Sequence, residues 1–152
     1  MDTENSTVGF VLQGIKTEQF AIIDENFSPR KKTGLGTELQ FKLDQKNKQI
    51  GVYIDFEFIQ TRKVFLKIQV SCHFKIEQKS WDSLYQGNQS RLVIPKGFLA
   101  HLAMITTGTT RGVLFAKTES TQFSAFIIPT LNVADMISED AVFDMSVHQI
   151  SG

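Results

Sequence analysis

The chain has 152 residues, a mass of 17.2 kDa and 16 basic against 16 acidic side chains, so its net charge is zero. Its length suits one domain with a real core. Its neutrality argues against a general nucleic-acid binder or a polybasic membrane anchor. The single cysteine, Cys72, excludes an intrachain disulfide and a cysteine-based zinc site, and no apolar run approaches the roughly 18 residues of a membrane-spanning helix. A polar, acid-containing start does not read as a signal peptide, so a cytoplasmic setting is expected. The 13 Phe, 14 Ile and 13 Thr against 7 Ala favour sheet over helix.

Residues 1–7 and 139–152 are expected to be flexible tails around a single folded core at 8–138. Val8, Val11, Leu12 and Ile15 have helical spacing, while Phe10 and Leu12 suit an edge strand equally; Gly9 and Gly14 tilt the choice towards strand. Extended chain continues over 19–25, and residues 28–37 form a loop. Residues 38–44 alternate, with Leu39, Phe41 and Leu43 on one side and Glu38, Gln40, Lys42 and Asp44 on the other. Residues 50–60 alternate again around Val52, Ile54, Phe56 and Phe58. The clearest pattern follows: Val64, Leu66, Ile68, Val70, Cys72, Phe74 and Ile76 alternate strictly with mostly polar partners, which helical periodicity cannot produce. Short turns between these runs predict an antiparallel meander with one wet face.

Residues 82–90 read as loop. Pro95 opens an amphipathic helix carried by Phe98, Leu99, Leu102 and Ile105, expected to stop near Gly108 or Gly112. A second β-rich stretch is predicted over 113–131, followed by a short helix, Val133–Ser138, capped by Asn132. Strands and helices together make an α+β pattern.

Catalytic patterns are missing. The three histidines form no close pair, so no metal site or cofactor is signalled. His73 lies on the wet side of its strand and Cys72 on the dry side, as a solvated ring and an inert thiol would. Asp55 and Glu57 share a strand face, which a wet sheet produces without catalysis. An enzyme is not expected. Tyr53, Ile59, Phe65, Trp81, Leu84, Phe115, Phe123, Phe126, Ile127 and Ile128 remain beyond what one sheet and one helix would cover. That surplus predicts an oligomer interface, an apolar groove, or both.

The order of these segments resembles the SecB protein-export chaperone family. The helix opening in LVIPKGFLAHLAMITTGTTRG ends at Arg111-Gly112, and the return segment Ile128-Pro129-Thr130-Leu131-Asn132-Val133 follows where the family has its own. Residues 39–44 look like the family's alternating strand and 12–22 like its first strand. The resemblance spans about residues 10–138. It implies an α+β fold, a four-stranded antiparallel sheet (meander or Greek key) with one long and one short helix packed on one face. It implies a homotetramer built as a dimer of dimers that holds unfolded polypeptide without ATP, in protein export or, as in SecB-like chaperones of toxin–antitoxin systems, for an antitoxin. It also implies a peptide groove on Leu39, Phe41, Leu43, Phe126, Ile128, Leu131 and Ile137. Preproteins or antitoxins would be the clients and SecA a partner of the export members. The neutral charge, Lys67 and Lys75 on the long strand's wet face, and the unmatched tail depart from the pattern that SecA binding needs. A carrier of a small apolar ligand, or a non-catalytic structural oligomer, would use the same aromatic surplus.

Overall fold

Strict alternation in the middle of the chain builds the centre of the molecule. The computed structural model describes residues 8–86 and 90–144. Four long strands, β1 (Phe10–Ile22), β2 (Gly34–Asp44), β3 (Gln49–Gln60) and β4 (Lys63–Ile76), form one antiparallel sheet in the order β1-β4-β3-β2. β2, β3 and β4 are the predicted meander, and β1 returns to pair with β4, which completes a Greek-key order. One sheet face is dry: Val52, Ile54, Phe56, Leu66, Ile68, Val70, Cys72 and Phe74 are all fully buried. The helix α2 (Lys96–Thr118) lies across β3 and β4 on that face. A short helix α1 (Gln78–Ser83) follows β4 and buries Trp81. A second, three-stranded antiparallel sheet joins β5 (Tyr85–Gln86), β6 (Arg91–Ile94) and β7 (Ala141–Asp144) in that order.

Several expectations are corrected. α2 does not stop at Gly108 or Gly112 but runs to Thr118, and residues 113–118, expected as strand, are its last turns. Along its threonine-rich run the hydroxyls of Thr106, Thr107, Thr110 and Thr118 donate to the carbonyls four residues back, at 2.7–2.9 Å. These buried polar groups are thereby satisfied within the helix. Gln122–Ala125 and Val133–Met136 are single 3-10 turns, so the expected helix at Val133–Ser138 is shorter and tighter, and the Asn132 side chain makes no cap hydrogen bond. Residues 82–83, expected as loop, end α1, and Tyr85–Gln86 pair with β6. Ala141–Asp144, assigned to the flexible tail, pair with β6. Residues 1–7 and 145–152, expected as flexible tail, and residues 87–89 of the expected loop lie outside the described residues. The region 8–15 enters β1, with bulges at Leu12/Gly14 and Thr17/Gln19 that hide its alternation.

The aromatic surplus is mostly absorbed inside the protomer. A register shift at Phe58/Ile59 leaves Phe65 unpaired in the ladder, so consecutive residues Phe65 and Leu66 both bury. Phe65 then stacks with Phe27, Phe58, Phe123 and Phe126 at centroid distances of 5.0–6.4 Å. Trp81, Leu84 and Ile128 are also core. Of the residues predicted to need partners, Phe115 and Ile127 are the ones left largely exposed, at 44% and 55%.

Candidate functional site: an apolar cleft at the sheet edge

β2 is one of the two edge strands of the main sheet, β1 being the other, and β7 is an edge strand of the small one. Leu39, Phe41 and Leu43 sit opposite Ile54, Val52 and Ile50 and so share the dry face. α2 covers β3 and β4 but not this edge, which leaves the three side chains half-buried. Ile137, Ala141 and Phe143 pack on the same core cluster from the other side. Between the two edge strands lies an open cleft of about 690 Å³, lined by Phe41, Leu43, Val142 and Phe143 with Lys42, Asp44, Gln45 and Asp144 at its rim. A second hollow of about 420 Å³ adjoins β2 further along, bounded by Leu39, Met136, Glu38, Tyr53, Asp55 and Gln69.

The seven residues expected to line a groove therefore separate. Phe41 and Leu43 line the cleft, Leu39 the second hollow, and Ile137 packs beside them. Phe126 and Leu131 are half-buried against the other core cluster, around Phe65 and Leu114. Ile128 is 1% exposed and is a core residue of the protomer, not a lining one. Arg111 explains why: its Nε donates to the Ile128 carbonyl at 2.6 Å and its Nη2 to the Pro129 carbonyl at 2.8 Å, which pins the return segment onto α2. Met136, Val142 and Phe143 were not foreseen as lining residues. The alternation Ala141, Phe143 was their one signal, inside an acid-rich stretch that reads as tail.

Local chemistry fixes the cleft walls. Asp44 accepts hydrogen bonds from the backbone N–H and the side-chain amide of Asn47, at 3.1 and 2.8 Å, closing the β2–β3 turn. The Asn47 side-chain and backbone donors hold its carboxyl below the ordinary value. Asp140 accepts from the Lys96 N–H at 2.9 Å. It thus caps the first turn of α2, where negative charge is favoured, and anchors the segment leading into β7.

The wet sheet face carries an ionic strip. Lys67 lies 3.1 Å from Glu57 and 3.9 Å from Asp55. The Asp55 Oδ1 is buried without a hydrogen-bond partner. Burial raises the Asp55 pKa, Lys67 opposes that, and Glu57 and Glu38 add to it. The hydrogen bond to Glu57 raises Lys67. Towards β1, Ser71 Oγ donates to Glu18 at 2.8 Å. The ring nitrogen Nε2 of His73, at 2.9 Å, is then left to donate to that same oxygen. This is not a nucleophile–base pair, because the base would have to accept the proton Glu18 already takes. Cys72 is buried beneath α2, and burial raises its thiol pKa, the state of an inert thiol. Among the described residues no cluster of three or more His, Cys, Asp or Glu could hold a metal ion, and no helix is long and apolar enough to cross a membrane.

A structure of a SecB-like chaperone from Mycobacterium tuberculosis, in complex with a ChAD peptide from the HigA1 antitoxin, matches 80% of this chain and 90% of its own with a TM-score of 0.51 and 10% identity. That likeness shows a SecB-like fold. A protein of unknown function from Streptococcus agalactiae matches 83% of this chain and 98% of its own at 16% identity, but its TM-score of 0.28 carries no argument. No family model matches the chain, and no curated protein matches it at a significant level.

Proposed function

We propose that this protein is an ATP-independent holdase: it binds unfolded polypeptide in the cleft between β2 and β7 and keeps it from aggregating. The observation that carries this reading is the uncovered dry edge of the sheet, where Phe41, Leu43 and Phe143 face open space on a SecB-like fold. An unfolded client exposes apolar side chains and unpaired backbone, and an edge strand with an apolar face offers partners for both.

Assembly as a homotetramer fits the remaining apolar surface. Val11 and Ile15 on the edge strand β1 are 63% and 55% exposed, and Met104 and Phe115 on α2 are 59% and 44% exposed. Contacts between copies would cover them. A cytoplasmic holdase of neutral charge suits protection of a dedicated client such as an antitoxin, which needs no SecA surface, as well as export. The test is light scattering of a refolding client without nucleotide. Protection at stoichiometric amounts supports the holdase; no protection at several-fold excess refutes it. Native mass spectrometry separates the rival reading, a carrier of a small apolar ligand, by a retained lipid-sized mass.

A further inference from the structure

We infer that the end of the main sheet away from the cleft is a docking surface for a short, acidic, unfolded segment of a partner protein. The loop before β2 carries Arg30, Lys31 and Lys32 in succession, and the β3–β4 turn carries Arg62 with Lys63 beside it. Gln60 joins the two loops and is 2% exposed. Its Oε1 accepts from the Ser28 N–H at 2.8 Å, and its Nε2 donates to the Thr33 Oγ1 at 3.0 Å and the Lys31 carbonyl at 3.4 Å. Gln60 itself pairs with Lys63 across the turn. Asn26 donates to the Val64 carbonyl at 2.9 Å, and Phe27 stacks on Phe65 at 5.0 Å. The two loops are thus one built unit. Between them lies a hollow of about 180 Å³, bounded by Ser28, Lys31, Thr61 and Lys63 among others.

The charge of this unit is one-sided although the chain as a whole is neutral. Arg30, Lys31, Lys32, Arg62 and Lys63 are all exposed, and Asp24 and Glu25 are the acids on the same loop. Among the described residues, none of the five cationic side chains is held in an ion pair or over a ring. Cations gathered this closely repel one another, and a carboxylate-rich partner relieves that repulsion. Phe27, the aromatic residue of the loop, packs inward on Phe65, Phe123 and Phe126, so it gives bases no surface to stack on. Glu57 and Asp55 follow Gln60 down the wet face, three and five residues away, where a long polyanion would be repelled. Both features favour a short acidic peptide over a nucleic acid. The ends of β2, β3 and β4 are neighbours, about 10 Å across, which an extended stretch of about four residues spans. Acid-rich segments are commonly unfolded and so present themselves in that form. Ile50, opposite the cleft residue Leu43, stands ten residues from Gln60 on β3, about 33 Å away. A partner held on the basic end therefore leaves the cleft free.

The test is fluorescence anisotropy of the full chain with tagged octapeptides that carry four glutamates, four glutamines or four lysines in the same glycine–serine background. A tagged oligothymidylate of equal charge and phosphatidylglycerol vesicles serve as the competing polyanions. The glutamate peptide should bind saturably at low salt, the other two peptides should not, and raising salt from about 50 to about 300 mM should weaken binding at least tenfold. Arg30→Glu with Arg62→Glu, one change in each loop, should weaken it at least tenfold with an unchanged thermal midpoint. Lys46→Glu with Lys79→Glu, the same change of charge at the other end of the sheet, should leave it within twofold. Equal weakening by both pairs overturns a localised surface. Tighter binding of the oligothymidylate or the vesicles, with the same dependence on Arg30 and Arg62, overturns a polypeptide as the occupant. No saturable binding of the glutamate peptide at low salt refutes the surface altogether. The Arg30→Glu/Arg62→Glu protein should still suppress aggregation of a refolding client as well as the wild type does, so the holdase reading stands or falls separately. Lost protection in that variant overturns the separation of the two surfaces.

Discussion

Replacing Phe41 by alanine separates a groove from a core. Phe41 is half-buried on an edge strand, whereas Phe56, two strand positions beyond Ile54 on the neighbouring strand, is fully buried. A phenylalanine buries roughly 150–250 Å² when enclosed, so Phe41 keeps on the order of 100 Å² for a client. At about 25 cal/mol/Å², incomplete coverage of that area is worth about 1–2 kcal/mol, or roughly five- to thirtyfold in client affinity. The same truncation should cost the fold only about 1–2 kcal/mol, because half the ring contacts are absent from the start, while Phe56→Ala should cost about 3–5 kcal/mol. Two readouts are compared: the thermal midpoint of each variant, and light scattering of a refolding client titrated with it. Phe41→Ala should melt near the wild type and protect poorly. If it loses as much stability as Phe56→Ala, or keeps full protection, Phe41 is not a groove residue.

Arg111→Ala removes two charge-assisted hydrogen bonds to the Ile128 and Pro129 carbonyls and should lower stability by about 1–3 kcal/mol, with faster proteolysis between Phe123 and Leu131. The two-residue β3–β4 turn places Thr61 and Arg62 at φ 50° and 65°, a region costly for residues with a Cβ. Thr61→Asn with Arg62→Gly should therefore raise stability by about 1 kcal/mol, seen as roughly 3 °C in the thermal midpoint. Asp55 has its folded pKa above the ordinary 3.8 through burial, so the folded state holds its proton more tightly than the unfolded chain. Its contribution to stability must rise as pH falls from above that raised value towards 3.8, and Asp55→Asn should raise the thermal midpoint at neutral pH and flatten that acid-side gain. Truncation after Ile137 deletes β7 and the Asp140 cap on α2; it should both lower the melting point and weaken client binding, and an unchanged protein would refute the cleft's second wall.

Legibility in the sequence tracks how cleanly a segment obeys one period. β2, β3 and β4 alternate and were readable to within a few residues, as was the Pro95 start of α2. β1 was ambiguous because two bulges interrupt its period, each inserting a residue into the ladder. The end of α2 was missed because β-branched threonines and two glycines argue against a helix, and the back-donation of buried hydroxyls to Leu102, Ala103, Thr106 and Leu114 cannot be read from residue type. Phe65 sits at a polar position of the alternation, and only the register shift at Phe58/Ile59 turns it inward. The site divides the same way. The shared dry face of Leu39, Phe41 and Leu43 follows from period two, while a groove role for them and for Ile128 rests on the resemblance; the burial of Ile128 is a tertiary fact, set by the Arg111 contact that closes it. β7 escaped because four residues within an acidic stretch carry too little pattern to outweigh their composition.

Amide hydrogen–deuterium exchange of the whole protein, with and without a saturating unfolded client, addresses the central claim most directly. Client binding in the cleft should slow exchange in β2, from Gly34 to Asp44, and in Ala141–Asp144, and leave β4, already paired on both sides, unchanged. Protection confined to β1 or to the exposed face of α2, or no protection at a client concentration that suppresses aggregation, would contradict it.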